Sequence, residues 1–171
     1  QGFSPSRSCR EEVVAIAEFY GWKGYDDILK EVNQRTLDIQ GEDNPFSLSF
    51  EEIFAIVTFT VENDTDSLYL NLNNYLRTKD RSQLEVWKGF LTYFLQALSK
   101  IPDTKMQVYR GIRTTEAAIA ETIEQNYSIG RNIKWYGFSS TSTDYSVAFN
   151  FVREQGFVFE INVLSGKDIR S

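Results

Sequence analysis

The sequence predicts an α+β fold, with a helical lobe over 1–101 and a β-rich lobe over 102–171 within one domain. Three observations carry this reading. Leu84, Trp87, Leu91, Phe94, Leu95 and Leu98 share one face of a helix, and Pro102 closes the run. Beyond Pro102 the period changes, and Phe157, Phe159, Ile161 and Val163 alternate with Val158, Glu160 and Asn162 as in a strand. With 42% hydrophobic and 15% aromatic residues, the 171-residue chain can enclose a core. A helical first half followed by a strand-rich second half separates the two kinds of element.

Residues 1–7 form a loose entry. Ser8 and Glu11 have capping-box spacing, and Val13, Val14, Ile16, Ala17 and Phe19 continue a helix until Gly21. A second, short helix is expected over 26–34 on Ile28, Leu29 and Val32, then a loop over 41–47 around Pro45. Ser49 with Glu52 repeats the capping spacing and opens a third helix through Phe54 and Val57. Asp64-Thr65-Asp66 is expected to cap a fourth, in which Leu68, Tyr69, Leu72, Tyr75 and Leu76 share a face. The acidic doublets Asp26-Asp27 and Glu51-Glu52 fall in helix first turns, where carboxylates complement the dipole, and are read as structural rather than catalytic. In the second half, 106–111 reads as a strand, 115–125 as a helix and 133–141 as a strand. Residues 143–151 read as a short helix or structured loop, before the alternating strand around Phe159.

Composition removes several function classes. A net charge of −6 offers no overall basic footprint for nucleic acid or an anionic membrane. No apolar run reaches membrane-spanning length, so no membrane insertion is expected, and no signal peptide is visible. Cys9 is the single cysteine, which rules out an internal disulfide. Histidine is absent, excluding Ser-His-Asp and Cys-His catalysis and any histidine-ligated metal site. No Gly-x-Gly-x-x-Gly occurs, and Gly166-Lys167-Asp168 lacks the rest of a phosphate loop, so a dinucleotide would not bind in Rossmann fashion. Because it begins with Gln1 rather than Met, the chain is expected to be a fragment or a processed product.

Two stretches carry chemistry. Residues 135–142 read WYGFSSTS, a β-prone run ending in four hydroxyl side chains, and residues 106–113 read MQVYRGIR, a β-prone run broken by Gly111. Taken alone, the first is a strand running into an ST-turn. Together the two place an arginine on one strand and a Ser-Thr-Ser on another. A fixed cation beside small hydroxyl donors suits an anionic ligand such as a diphosphate.

Val108-Tyr109-Arg110-Gly111, followed by Phe138-Ser139-Ser140-Thr141-Ser142 and then Ala148-Phe149, resembles the mono-ADP-ribosyltransferases of the arginine–serine–glutamate type. That group includes bacterial binary toxins and animal arginine-modifying ecto-enzymes, and the similarity runs from about Phe54 to the end. The resemblance implies a helical half packed on a small, mostly antiparallel β-sandwich. It also implies NAD as a substrate, with no metal, and transfer of ADP-ribose to the side chain of an acceptor protein, arginine among the candidates. The bond broken joins nicotinamide to ribose, through an oxocarbenium-like state. A soluble, secreted or effector-like protein is favoured over a cytoplasmic housekeeping one.

Carried over residue by residue, Arg110 is the catalytic arginine that grips phosphate and ribose oxygens with its planar fork. Gly111 admits the nicotinamide amide to the backbone. Ser140 is the orienting hydroxyl, not a nucleophile, since no histidine is present to activate it. Thr141 and Ser142 stiffen the strand end beside NAD. Phe149 either stacks on the nicotinamide ring or packs in the core. The family completes its site with a Glu-x-Glu roughly forty residues past the Ser-Thr-Ser, which falls beyond Ser171. Glu160-Ile161-Asn162 lies too early and ends in Asn, and 166–171 resembles the segment leading into the missing motif. The chain is therefore expected to stop short of the catalytic glutamate and to be inactive alone. The alternative is a non-catalytic NAD-binding or protein-interaction module that kept the fold and lost the glutamate.

Overall fold

The structure is a computed structural model, and it describes residues 5–41, 44–61, 67–78, 82–152 and 155–169. Backbone contacts divide the chain into two compact units, Gln1–Pro102 with Lys167–Ser171, and Asp103–Gly166.

The first unit is helical. Helix α1 (Cys9–Tyr20) begins with the capping box seen in the sequence, as Glu11 N–H donates to Ser8 Oγ and Ser8 N–H donates back to Glu11 Oε2. It stops where Gly21 turns left-handed at φ 67°, a conformation open to glycine without a Cβ penalty. Helix α2 (Tyr25–Gly41) runs well past the expected end at 34. Its buried stripe is Leu29, Val32 and Thr36, and the last of these donates its hydroxyl to Val32 O at 2.7 Å. A stripe that ends in a threonine fades from an apolar pattern before the helix itself ends. Helix α3 (Phe50–Thr60) carries the second capping box, on Ser49 and Glu52, and is buried along nearly its whole length. Helix α4 (Leu68–Arg77) is capped by Ser67, whose hydroxyl accepts from Leu70 N–H. The expected cap Asp64-Thr65-Asp66 lies outside the described residues.

Helix α5 (Leu84–Lys100) supplies the centre of this core, with Trp87, Phe90, Phe94 and Ala97 fully buried. It packs against α1 and α3. Phe94 meets Phe59 at 4.5 Å between ring centroids, and Trp87 stacks on Tyr75. Three of the four carboxylates in the acidic doublets make structural contacts. Asp27 pairs with Lys30, Glu51 accepts from Cys9 N–H, and Glu52 pairs with Lys100 at 2.7 Å.

The second unit is built on two long strands, β1 (Asp103–Arg113) and β2 (Gly156–Lys167), which form a two-stranded sheet. Thr104 lies opposite Gly166 and Ile112 opposite Gly156, so the pair is antiparallel. Helix α6 (Glu116–Asn126) follows β1, and helix α7 (Tyr145–Val152) packs on β1. The expected strand over 133–141 does not form. Gly137 adopts φ 107°, which breaks the extended run, and only Ser142 makes a bridge, antiparallel to Tyr109. The architecture is mixed α+β, with seven helices and one antiparallel sheet among the described residues.

Candidate active site

Side chains alternate across a strand, so β1 presents two different faces. Gln107, Tyr109, Gly111 and Arg113 share one, and Val108 and Arg110 share the other.

The Arg110 face holds the two motifs together. Arg110 Nη1 donates to the backbone carbonyl of Ser140 at 3.0 Å. The contact goes through the Ser140 carbonyl rather than its hydroxyl, so the exposed side chain is left available. Ser142 fixes the register from the other end of the motif. Tyr109 N–H donates to Ser142 O at 2.7 Å, and Ser142 N–H returns to Tyr109 O at 2.9 Å. Thr141 lies between them, exposed. Beyond the bridge, Ser142 Oγ accepts from Asp144 N–H at 3.0 Å, the ST-turn that the sequence suggests. Asp144 Oδ1 then accepts from Ser146 N–H at 2.7 Å and caps α7. Hydrogen bonding from the Ser146 hydroxyl, and after it from the Ser146 N–H, lowers the Asp144 carboxyl from its ordinary value.

Sequence reasoning missed the aromatic surround of Arg110. The Trp135 ring lies under the guanidinium, 4.9 Å from its central carbon. Trp135 Nε1 donates to Tyr127 Oη at 3.3 Å, and both rings lie against Phe159 on β2. Arg110 Nε is buried without a hydrogen-bond partner, and Nη2 carries none among the described residues. The sequence shows aromatic residues at these positions, but their contacts depend on where the irregular 127–141 segment runs.

The opposite face belongs to α7. A Cβ on Gly111 would sit 2.4 Å from Ala148 O and 2.9 Å from Val152 Cγ2, so this glycine has a packing reason independent of any ligand. Phe149 is 54% exposed, which removes the core-packing reading of this residue. Its ring stacks on Tyr145, which in turn meets Tyr109 edge-on at 5.4 Å. No described contact joins Phe149 to Arg110 or Ser140. Glu160 Oε1 accepts from Gln107 Nε2 at 2.8 Å, which puts its carboxylate on the face away from Arg110. A half-open cavity of about 230 Å³, lined by Tyr20, Asn71, Asn74, Tyr75, Thr78 and Gln83, is made wholly of helical-unit residues and includes none of the motif positions.

Among the described residues, no cluster of three or more His, Cys, Asp or Glu side chains can hold a metal, and no helix is long and apolar enough to cross a membrane. An arginine held against a Ser-Thr-Ser segment sets a fixed cation beside small hydroxyl donors, an arrangement suited to an anionic ligand. The sequence model of one family, NAD:arginine ADP-ribosyltransferase, matches residues 13–171, and the chain belongs to that family. Its activity class is accordingly NAD-dependent ADP-ribosyl transfer, a glycosyl transfer that modifies proteins, with NAD as the substrate. No individually curated protein matches the chain.

Proposed function

We propose that this chain binds NAD on the Arg110 face of β1 and serves the transfer of ADP-ribose to a protein side chain, arginine first, with nicotinamide released. The observation that carries the reading is the Arg110–Ser140 contact, which brings the two motifs of the sequence within one hydrogen bond. Arg110 supplies a fixed positive charge with free N–H groups for phosphate or ribose oxygens. Ser140 contributes its hydroxyl beside that charge. Thr141 and Ser142 hold the segment in place, through the backbone bridge to Tyr109 in the case of Ser142. Gly111 keeps β1 close to α7, whose exposed Phe149 ring lies on the opposite face of the strand from Arg110.

Cleavage of the nicotinamide–ribose bond builds positive charge on the ribose, and a carboxylate close to it lowers that barrier. Residues 1–171 contain no Glu-x-Glu, and Glu160 is engaged by Gln107. These residues alone are therefore proposed to bind NAD without turning it over. The second reading is a non-catalytic NAD-binding or protein-interaction module with the same fold, in which Glu160 keeps only its bond to Gln107.

Titration calorimetry with NAD and an assay of nicotinamide release test both readings. Wild type should bind, and Arg110→Ala should weaken binding by about 1.5–3 kcal/mol, the scale of a charge-assisted hydrogen bond. Arg110→Lys should fare nearly as badly, since an ammonium cannot reproduce the fork. Equal affinity of wild type and Arg110→Ala would remove Arg110 from the site. Robust nicotinamide release from residues 1–171 would mean that another carboxylate does the work.

A further inference from the structure

We propose that Trp135 is a positioning residue that holds the Arg110 guanidinium ready for its ligand, an inference that rests on the NAD reading above. An arginine side chain is long and has many rotamers, so an unheld guanidinium loses much of its binding energy to ordering. Arg110 is held on two sides. The Ser140 carbonyl takes one Nη1 hydrogen, and the Trp135 ring lies beneath the charge with its centroid 4.9 Å from the central carbon, within cation–π range.

The indole is itself fixed. Its Nε1–H donates to Tyr127 Oη, and its ring lies 5.8 Å from that of Phe159, which Tyr127 meets at 4.7 Å. Two of these aromatic residues come from the irregular connection and the third from β2, so the sheet anchors the support.

This arrangement accounts for an otherwise costly feature. Arg110 Nε is buried with no acceptor, a condition that normally destabilises a polar group. The electron-rich ring face offsets part of that penalty for the cation as a whole. It also decides which edge of the guanidinium can work. With Nε buried and one Nη1 hydrogen on Ser140, the remaining Nη1 and Nη2 hydrogens form the edge free to meet an anionic oxygen pair end-on.

The test uses the full chain with NAD as the probe. In an NMR spectrum of wild type, the Arg110 Nε–H resonance should carry a ring-current shift from Trp135. Trp135→Leu should return it toward the free-arginine position and weaken NAD binding about 5- to 30-fold, the range of a partly desolvated cation–π contact. Trp135→Phe, which keeps a ring, should recover most of both. Tyr127→Phe removes only the hydroxyl that steadies the indole and should give a smaller change of the same sign, which keeps the test open if Trp135→Leu fails to fold. If wild type does not bind NAD, the functional reading falls, and the arginine resonance alone decides the clamp. An Nε–H position unchanged by Trp135→Leu and by Tyr127→Phe, or NAD affinity in folded Trp135→Leu equal to wild type, overturns the proposal.

Discussion

Glu52 shows how one side chain ties the helical unit together. Its carboxylate closes the α3 capping box by accepting from Ser49 N–H at 2.7 Å, and the same oxygen pairs with Lys100 at the end of α5. Burial pushes the carboxyl up, but the Lys100 and Ser49 bonds outweigh it, so the group titrates below its usual value of 4.5. A depressed carboxyl stabilises the fold fully above its unfolded pKa, and that contribution is lost as pH falls through the folded pKa. Denaturant midpoints measured from neutral pH downward should therefore fall off below about pH 4.5 in wild type, and more shallowly in Glu52→Gln. Parallel acid limbs for the two proteins would show that the Lys100 pairing has no energetic role. At this scale the sequence is uneven. Ser8 with Glu11 and Ser49 with Glu52 were legible because a cap is local. The Lys100 partner was not, because it lies on another helix. Arg110 and Ser140 were legible as motifs, whereas Trp135 beneath Arg110 is a tertiary contact that no local pattern encodes.

At the scale of elements, the sequence reads well where a periodic face is apolar and poorly where polar residues or single backbone torsions decide. Helix α5 follows from its leucines and aromatics. Helix α2 outran its apolar stripe because Thr36 occupies a core position. The expected strand at 133–141 was overruled by Gly137, whose positive φ a propensity argument does not see. Gly111 marks the most demanding junction between elements, where β1 meets α7. An alanine there would press its Cβ to 2.4 Å from Ala148 O, and a backbone carbonyl cannot swing aside as a side-chain tip can. Gly111→Ala should destabilise the protein by about 1–3 kcal/mol, the usual range for overpacking. Thermal unfolding in the absence of NAD checks this without any assumption about ligand. An unchanged midpoint would show that α7 can shift freely, and the glycine would then need a reason at the ligand side.

The two units of the molecule differ in how much they bury. Trp87, Phe54, Phe90, Phe94, Ile16 and Leu29 are enclosed in the helical unit, while the buried apolar side chains described in the β unit are Val108, Ala148 and Val152. Local opening is easiest where few apolar contacts must be broken, so amides of the β unit should exchange with solvent faster than those of α3 and α5. Ligand linkage then gives a test of where NAD acts. A ligand that binds only the closed form stabilises it by about 2.7 kcal/mol at one hundred times its dissociation constant, a roughly hundredfold slowing of exchange through that opening. At such an NAD concentration, the slowing should concentrate in β1 around Tyr109 and in the Ser142 bridge, whose two hydrogen bonds hold the Arg110 and Ser140 segments together. The core amides of α5 should change far less. Arg110→Ala, measured at the same NAD concentration, should lose most of the protection at Tyr109 and Ser142 while leaving α5 as it was. Protection that NAD confers on α3 and α5 but not on β1 would place the dinucleotide on the helical unit and detach it from the arginine altogether.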